Sequence, residues 1–348
     1  MIYIHQTSCI AAQSTFSDIP LNELNETVEN KLLAIETMNS EIPVNLLRRM
    51  GKAVRLGIST GLPLLKQTTV NGIAIGTGNG GLEDCIKFLN QIIDYEEGKL
   101  TPTNFVQSTT NAIAAQLSIL GSNKQYNITH VHRGLSFENA IIDVFMLLKE
   151  NPLSTYLVGG IDEISNYNYS VEFLAGLYKK ESISNKDLYL SKTDGTIAGE
   201  GAAMFIVNNN AENACAQINA IHTIHSENAD DVIAALKSFL SKYVNPDNPI
   251  DVFFSGENGD ARIIHFYSGC EKLLEDTISI VRYKHMVGEF RSVSALALYL
   301  SCEGIKTGIF PDHMYKRKKS ESIKNILIYN CSQGLQHSFL LVSKCNTN

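Results

Sequence analysis

The residue types best suited to nucleophilic chemistry lie close together in residues 129–140 (THVHRGLSFENA). His132 precedes Ser136 by four residues. A serine hydroxyl becomes a nucleophile when a neighbouring base accepts its proton. The alternative is structural: Ser136 caps a helix, while His132 lies in a strand and shares one face with His130. The sequence favours this structural interpretation and leaves Ser136 as a secondary candidate nucleophile.

The spacing of cysteines and histidines gives no metal site. The seven cysteines are scattered, include no CxxC pair and are odd in number. This pattern indicates reduced thiols in a cytoplasmic protein rather than disulfides or structural zinc. His222 and His225 could form a ligand pair, but no third ligand follows at a useful spacing. We therefore expect neither a metal nor another cofactor.

The glycine-rich segment 72–82 (GIAIGTGNGGL) could in principle bind a nucleotide phosphate. Its spacing does not match GxGxxG, and no P-loop lysine follows it. We therefore expect the glycines to form a turn at the end of a strand. A positive φ or a close backbone approach excludes larger side chains at such a turn.

The composition is that of an ordinary globular protein of 348 residues, with 44% apolar and 19% charged residues. The net charge of −7 disfavours nucleic-acid binding. The basic run 316–319 is interpreted as a solvated loop, with a docking patch for an acidic partner as the alternative. No apolar run is long enough to span a bilayer, and the N-terminus has no signal-peptide pattern.

Short apolar runs alternate with longer amphipathic stretches, which predicts an α/β fold. The predicted strands are residues 72–76, 155–158, 204–207, 251–254, 326–329 and 339–342. The predicted helices are residues 25–38, 82–93, 109–120, 137–150, 230–243 and 292–302. The polar stretch 208–213 predicts a boundary between two halves, residues 1–209 and 210–348.

Five segments, taken together and in order, resemble the β-ketoacyl synthase family. They are residues 72–82, 102–117 (PTNFVQSTTNAIAAQL), 157–160 (LVGG, followed by acidic residues), 194–203 (DGTIAGEGAA) and 330–342 (NCSQGLQHSFLLV). The resemblance implies the thiolase-like fold, in which two similar α/β halves form a layered α-β-α-β-α core. It also implies an acyltransferase that joins an acyl chain to a malonyl unit held on acyl carrier protein.

The resemblance further implies a catalytic cysteine and two catalytic histidines, and this chain has none of them at the matching positions. The family's spacing places Gly134 at the cysteine position, and no cysteine lies between Cys85 and Cys215. Ser255 occupies the first histidine position and Glu289 the second. A carboxylate beside a developing oxyanion has the wrong sign for stabilising it. We therefore expect that this chain does not condense acyl groups on its own.

Other positions keep features of the family. Lys284 is retained, and we expect it to pair with Glu289. The C-terminal turn lacks the family's phenylalanine gate and contains Ser332, Gln333 and Gly334. His337, just beyond this turn, is the histidine best placed to touch a ligand.

By the same resemblance, the strand at residues 126–132 pairs with a second subunit across a two-fold dimer axis. The segment 102–115 then approaches the acyl tunnel of that second subunit. The residues assigned to this tunnel or interface are Phe105, Val106, Asn111, Ile113 and His132.

Retained surfaces combined with lost catalytic groups resemble the chain-length-factor type of subunit. This implies a role in fatty acid or polyketide synthesis, such as an aryl polyene or related pigment pathway. The expected partners are an active ketosynthase subunit in a heterodimer, or a second copy of this chain, and acyl carrier protein. Two alternatives stay open: a thiolase-fold acyltransferase that uses a non-cysteine residue, and a scaffold for carrier-protein docking.

Overall fold

Strands and helices alternate along the chain in the computed structural model, which describes residues 1–16, 19–36, 42, 44–48, 50–98, 100, 102–244 and 248–345. Within these residues the strands, β1 to β13, are Ile2–Ile10, Lys31–Leu32, Gly72–Gly76, Tyr126–His130, Tyr156–Asp162, Ala198–Gly199, Gly201–Asn208, Ala216–His225, Val252–Ser255, Ser279–Arg282, Tyr315–Arg317, Asn325–Ser332 and Gln336–Ser343. The helices, α1 to α11, are Val44–Leu47, Lys52–Gln67, Leu82–Asp94, Pro102–Gln107, Ala112–Leu120, Ser136–Glu150, Asn166–Leu174, Ala229–Tyr243, Ile264–Glu271, Lys284–Val287 and Ser294–Thr307.

The main sheet runs in the order β11-β10-β9-β12-β13-β8-β1-β7-β5-β3-β4. It contains one five-strand arrangement twice, as β4-β3-β5-β7-β1 and as β10-β9-β12-β13-β8. In each block the first three strands are parallel, and each later strand is antiparallel to its neighbour. The blocks join where Ile2 and Ile4 of β1 pair with β8. This repeat confirms the two similar α/β halves.

Helices cover the outer side of each block and fill the space between the blocks. On the first block, α2 and α5 bury apolar side chains such as Leu56 and Leu117. Between the blocks, α6 and α11 share a central core that includes Phe137 and Leu298. On the second block, α8 and α9 enclose another core around Phe239. The resulting α-β-α-β-α layering is the thiolase-like fold that the resemblance implied.

All six predicted strands overlap observed strands, but the predicted helix at residues 25–38 is wrong. Glu29 and Asn30 have φ of 52° and 58°, a left-handed turn that a helix cannot contain. Strand β2 follows this turn directly and pairs with β6. The buried Asn30 amide donates to the Lys179 carbonyl at 3.0 Å, so a distant contact fixes the segment. Residues 37–38 lie outside the described residues.

The connection between β7 and β8 contains the predicted boundary. Strand β7 ends at Asn208 and β8 begins at Ala216. The division at 209/210 therefore falls between the two strand blocks and stays a prediction. In the part of the chain that the structure describes, no helix is long and apolar enough to cross a membrane.

Side chains of the basic run 316–319 form ion pairs within the chain. Its first residues belong to the edge strand β11, so the predicted solvated loop is wrong for them. Lys316 binds Glu257 at 2.6 Å and Glu271 at 2.9 Å. Lys318 pairs with Asp312 at 2.6 Å. These ion pairs offset part of the charge that an acidic partner would need, and the docking patch stays a hypothesis.

Candidate functional site

The turn between β4 and α6 leaves no room for a nucleophile at Gly134. Gly134 is buried, and its N–H donates to Gln336 Oε1 at 3.0 Å. A Cβ added at Gly134 would lie 2.2 Å from Ser332 Cβ and 2.3 Å from Ser332 Oγ. Because Ser332 Cβ is attached directly to the backbone of β12, that strand end would have to move. The space that a cysteine needs is therefore filled by the C-terminal turn.

Ser136 and His132 do not form a nucleophile–base pair. Ser136 is fully buried, and its Oγ has no hydrogen-bond partner among the described residues. The predicted cap is also wrong, because Leu135 occupies the N-cap position and Ser136 is already helical. His132 is exposed just beyond the end of β4, where its Nδ1 lies 3.4 Å from the Gln336 amide nitrogen.

The glycine-rich turn after β3 binds a carboxylate of the chain itself. Asp162 Oδ1 accepts hydrogen bonds from the N–H groups of Gly78 at 2.9 Å and Asn79 at 2.7 Å. Asp162 Oδ2 accepts from the Ser292 N–H and hydroxyl at 2.9 and 2.7 Å. Two backbone donors that could hold a phosphate are thus occupied. The same contacts join the two halves of the fold.

The two positions matched to catalytic histidines hold a buried, paired network. Ser255 is fully buried at the first position. At the second, Glu289 accepts from Lys284 Nζ at 2.7 Å and from the Asn258 amide at 2.8 Å. The predicted Lys284–Glu289 pair is therefore confirmed. Burial lowers the pKa of Lys284, and the Glu289 carboxylate opposes that shift. At the second position the network therefore offers a carboxylate where a histidine was expected.

A small cavity of about 170 Å³ remains beside this network. Pockets that bind drug-sized ligands typically measure roughly 300–1,000 Å³. The residues that line it are Glu172, Leu177, Tyr178, Thr196, Asn258, Asp260, Arg262, Ile263, Glu289, Phe290, Arg291, Ser332 and Gln333. Arg291 bridges its walls, because it pairs with Glu172 at 2.8 Å and donates to the Gln333 side-chain oxygen at 2.9 Å. The cavity is too small and too charged for an acyl chain.

The C-terminal turn presents no reactive group to this cavity. Gln333 and Gly334 have φ of 59° and 70°, which makes the tight connection between β12 and β13. Burial raises the pKa of the Cys331 thiol to about 12, so it stays protonated and unreactive. His337 is buried, with Nδ1 3.0 Å from the Tyr329 hydroxyl and Nε2 2.9 Å from the Ser226 carbonyl. Both ring nitrogens of His337 are thus committed to the core, contrary to its predicted place near a ligand.

The comparisons with known proteins agree with this fold. The family model for the β-ketoacyl synthase N-terminal domain matches residues 25–229, more than half of the chain. The chain belongs to the β-ketoacyl synthase family. No curated protein sequence shows a significant match to it.

Solved structures of similar shape are distant in sequence. A β-ketoacyl synthase from Burkholderia phymatum STM815 is 14% identical, with a TM-score of 0.77 and 99% of both chains covered. A type II PKS acyl-carrier protein in complex with its ketosynthase, bound to the hexaketide, matches at 11% identity, TM-score 0.76 and 99% of both chains. A ketosynthase in complex with its chain length factor, from Xenorhabdus doucetiae, matches at 12% identity, TM-score 0.76 and 99% and 98% coverage. At these identities the likeness establishes the fold alone.

In this β-ketoacyl synthase family member, the residues assigned to the acyl tunnel or interface differ in how exposed they are. Phe105 and Val106 on α4 are 59% and 56% exposed, so a second subunit can reach them. Ile113 is only 1% exposed and packs in the core between α2 and α5, so its assignment to a partner's tunnel is wrong. Asn111 accepts a hydrogen bond from the Thr129 hydroxyl at 2.8 Å and braces the start of α5 against β4.

Strand β4 is the last strand of the sheet and has an open edge. Its residues are exposed or half-buried, unlike those of its fully buried neighbour β3. Exposed large apolar side chains occur on β4, just after it, and on α3, α4 and α5, which precede it. They are Leu89, Ile93, Phe105, Val106, Ile119, Tyr126 and Val131. An unpaired edge accompanied by exposed apolar residues is typical of a surface that pairs with another chain.

In the described residues, no group of three or more His, Cys, Asp or Glu side chains could hold a metal ion. His222 and His225 lie on β8, where both are exposed.

Proposed function

We propose that this chain is a non-condensing subunit that pairs with an active β-ketoacyl synthase in fatty acid or polyketide-type synthesis. The packing of Ser332 against Gly134 is the observation that carries the proposal. A condensing enzyme needs a thiolate at this turn, and a cysteine side chain has no space there. Glu289, held by Lys284, replaces a hydrogen-bond donor with a carboxylate, so a second catalytic requirement is also missing.

The open edge of β4 supports pairing through this face. A second β-ketoacyl synthase subunit that placed its own edge strand beside β4 would continue the sheet and cover apolar residues such as Ile119 and Phe105. These two side chains are 68% and 59% exposed in the single chain. Obligate interfaces are large, on the order of 2,000–5,000 Å² in total. The Xenorhabdus doucetiae complex, in which a ketosynthase is bound to its chain length factor, supports a heterodimer over a homodimer.

Acyl carrier protein is the second proposed partner. A ketosynthase of the same fold is bound to an acyl-carrier protein, and a paired subunit would meet the same carrier. We place this assembly in the cytoplasm. The seven cysteines support that location, since all of them are free and free thiols persist where disulfides are kept reduced.

The alternative of an acyltransferase with a non-cysteine nucleophile is weaker. Ser136 is buried and lacks a base within hydrogen-bonding distance among the described residues. Cys331, the cysteine nearest the C-terminal turn, is buried as a neutral thiol. The second alternative is a scaffold that pairs with a ketosynthase without influencing its acyl chain. It would use the same β4 interface. A measurement of the length of the ketosynthase products distinguishes it from our proposal.

Self-acylation tests the proposal. We expect that the purified chain, incubated alone with acyl carrier protein carrying a fatty acyl group, keeps its unmodified mass in intact-protein mass spectrometry. The physical reason is that, among the residues the structure describes, no activated nucleophile lines the cavity beside Glu289. An active ketosynthase treated in the same way is the control and should gain the mass of the acyl group. A stoichiometric adduct on Ser136 or on any cysteine would refute the proposal and favour the acyltransferase.

A further inference from the structure

A second cavity, of about 380 Å³, shares Ser332 and Gln333 of the C-terminal turn with the cavity described above. Its basic wall consists of His132, Arg133 and His225, and its amide wall consists of Gln333 and Gln336. No acidic side chain occurs among the described residues that line it. The smaller cavity, in contrast, contains three carboxylates.

Arg133 is the unpaired cation of this cavity. Its side chain is exposed and makes no ion pair among the described residues. The arginines that do form ion pairs are Arg55, Arg262, Arg282, Arg291 and Arg317. A free guanidinium offers five N–H donors in a planar fork that matches the oxygens of a carboxylate or phosphate.

The backbone of Arg133 is held in a costly conformation. Its φ is 48°, in the left-handed region that residues with a Cβ seldom occupy. The turn is fixed on both sides, because Gly134 N–H binds Gln336 and Ser136 N–H binds the Arg133 carbonyl. Strain of this kind clusters at binding and catalytic sites. Glycine would adopt the same turn at less cost, so the presence of arginine calls for a use of its side chain.

His132 adds a donor of defined orientation. Gln336 Oε1 accepts from Gly134 N–H at 3.0 Å, which fixes the direction of the Gln336 amide. Its nitrogen then faces His132 Nδ1 at 3.4 Å and donates to it. Nδ1 therefore acts as an acceptor, which leaves Nε2 as the ring nitrogen that can donate to a ligand. His225 extends the same wall from β8, opposite Gln336 in register.

We propose that this cavity is a binding site for a phosphate-type oxyanion, with Arg133 as its principal ligand and His132 and Gln336 as the groups that orient it. The backbone N–H of Gly78 is already bound to Asp162, so the site relies on side chains. The volume exceeds what a free phosphate needs and leaves space for a small organic group against Val131 and Leu335.

Calorimetric titration of the full chain with inorganic phosphate and with glycerol 3-phosphate, at constant chloride, tests this site. We expect saturable binding of at least one of the two, weakened about 10- to 100-fold in Arg133→Gln, because a charge-assisted hydrogen-bonding partner is lost. Arg48→Gln is the matched control, since Arg48 is exposed and lines a different cavity that contains Glu83 and Asp84. Arg48→Gln should bind like the wild type.

The outcomes are distinct. Tighter binding of glycerol 3-phosphate identifies a phosphate ester as the natural ligand, and equal binding identifies free phosphate. Arg133→Gly is a second variant that should lose binding while its melting temperature stays the same or rises, because glycine relieves the turn. No saturable binding, or equal weakening by the Arg133 and Arg48 substitutions, would overturn the proposal. Because no partner protein is used, either outcome leaves the proposed pairing with a ketosynthase untouched.

Discussion

Replacing Gly134 with alanine or cysteine will lower the free energy of unfolding by at least about 1–3 kcal/mol and will not create a condensing enzyme. The added Cβ would lie 2.2 Å from Ser332 Cβ, far inside van der Waals contact. Urea-induced unfolding of the variants and the wild type measures the loss. No acyl transfer should accompany the new thiol, because Ser255 and Glu289 still replace the histidines.

A matched glycine separates this clash from the general effect of adding a methyl group. A Cβ at Gly269 in α9 would meet only the end of the Ile233 side chain, at 3.2 Å. Gly269→Ala should therefore be neutral or stabilising, since alanine favours the helix by up to about 1 kcal/mol. Adding Ser332→Gly to Gly134→Ala should restore much of the lost stability, because the two residues are in direct contact. A fully stable, self-acylating Gly134→Cys chain would show that the turn is open.

The second large effect is expected on product length. Phe105→Ala should leave the complex with a ketosynthase assembled and shift its products to longer chains, because removal of an exposed ring opens volume on the partner's side. Phe105 is 59% exposed in the single chain and contacts Phe88 with ring centroids 5.3 Å apart. Its loss should therefore cost the isolated chain little stability. Val106→Ala should act in the same direction with a smaller change.

Two control variants make the product assay decisive. Ile113→Ala should destabilise the isolated chain by about 2–5 kcal/mol, because Ile113 is buried in its own core. Leu153→Ala, at a fully exposed residue in the connection after α6, should change neither stability nor products. Size-exclusion chromatography shows whether each complex persists, and mass spectrometry measures the products. Persisting complexes with unchanged products for the Phe105 and Val106 variants would leave only the scaffold role.

The sequence predicts the fold better than the contacts at the site. Alternation of strands and helices is local, so five of the six predicted helices and all six strands have counterparts. The helix at 25–38 fails because the amide of Asn30 is fixed by the distant Lys179 carbonyl. The helical spacing of apolar residues contains no information about such a distant contact.

The site follows the same rule. The resemblance to the family's motifs places Gly134 at the nucleophile position, and it also predicts the pairing of Lys284 with Glu289. The filling of the vacant space by Ser332 joins chain segments about 200 residues apart, as does the Gly134–Gln336 hydrogen bond, and no local pattern encodes it. For Ser136, the residue type predicts a cap, but packing buries the hydroxyl instead. The basic cavity could not be predicted from the sequence for the same reason, because His225 and Gln336 lie on strands far from Arg133 along the chain.

The most direct test of the central claim is co-purification with an active β-ketoacyl synthase encoded beside this chain. The two should be co-expressed, purified through a tag on this chain and measured for mass by size exclusion with light scattering. We predict a one-to-one complex whose condensing activity disappears when the partner's catalytic cysteine is replaced. Purification of this chain alone, together with a ketosynthase that is fully active without it, would contradict the account.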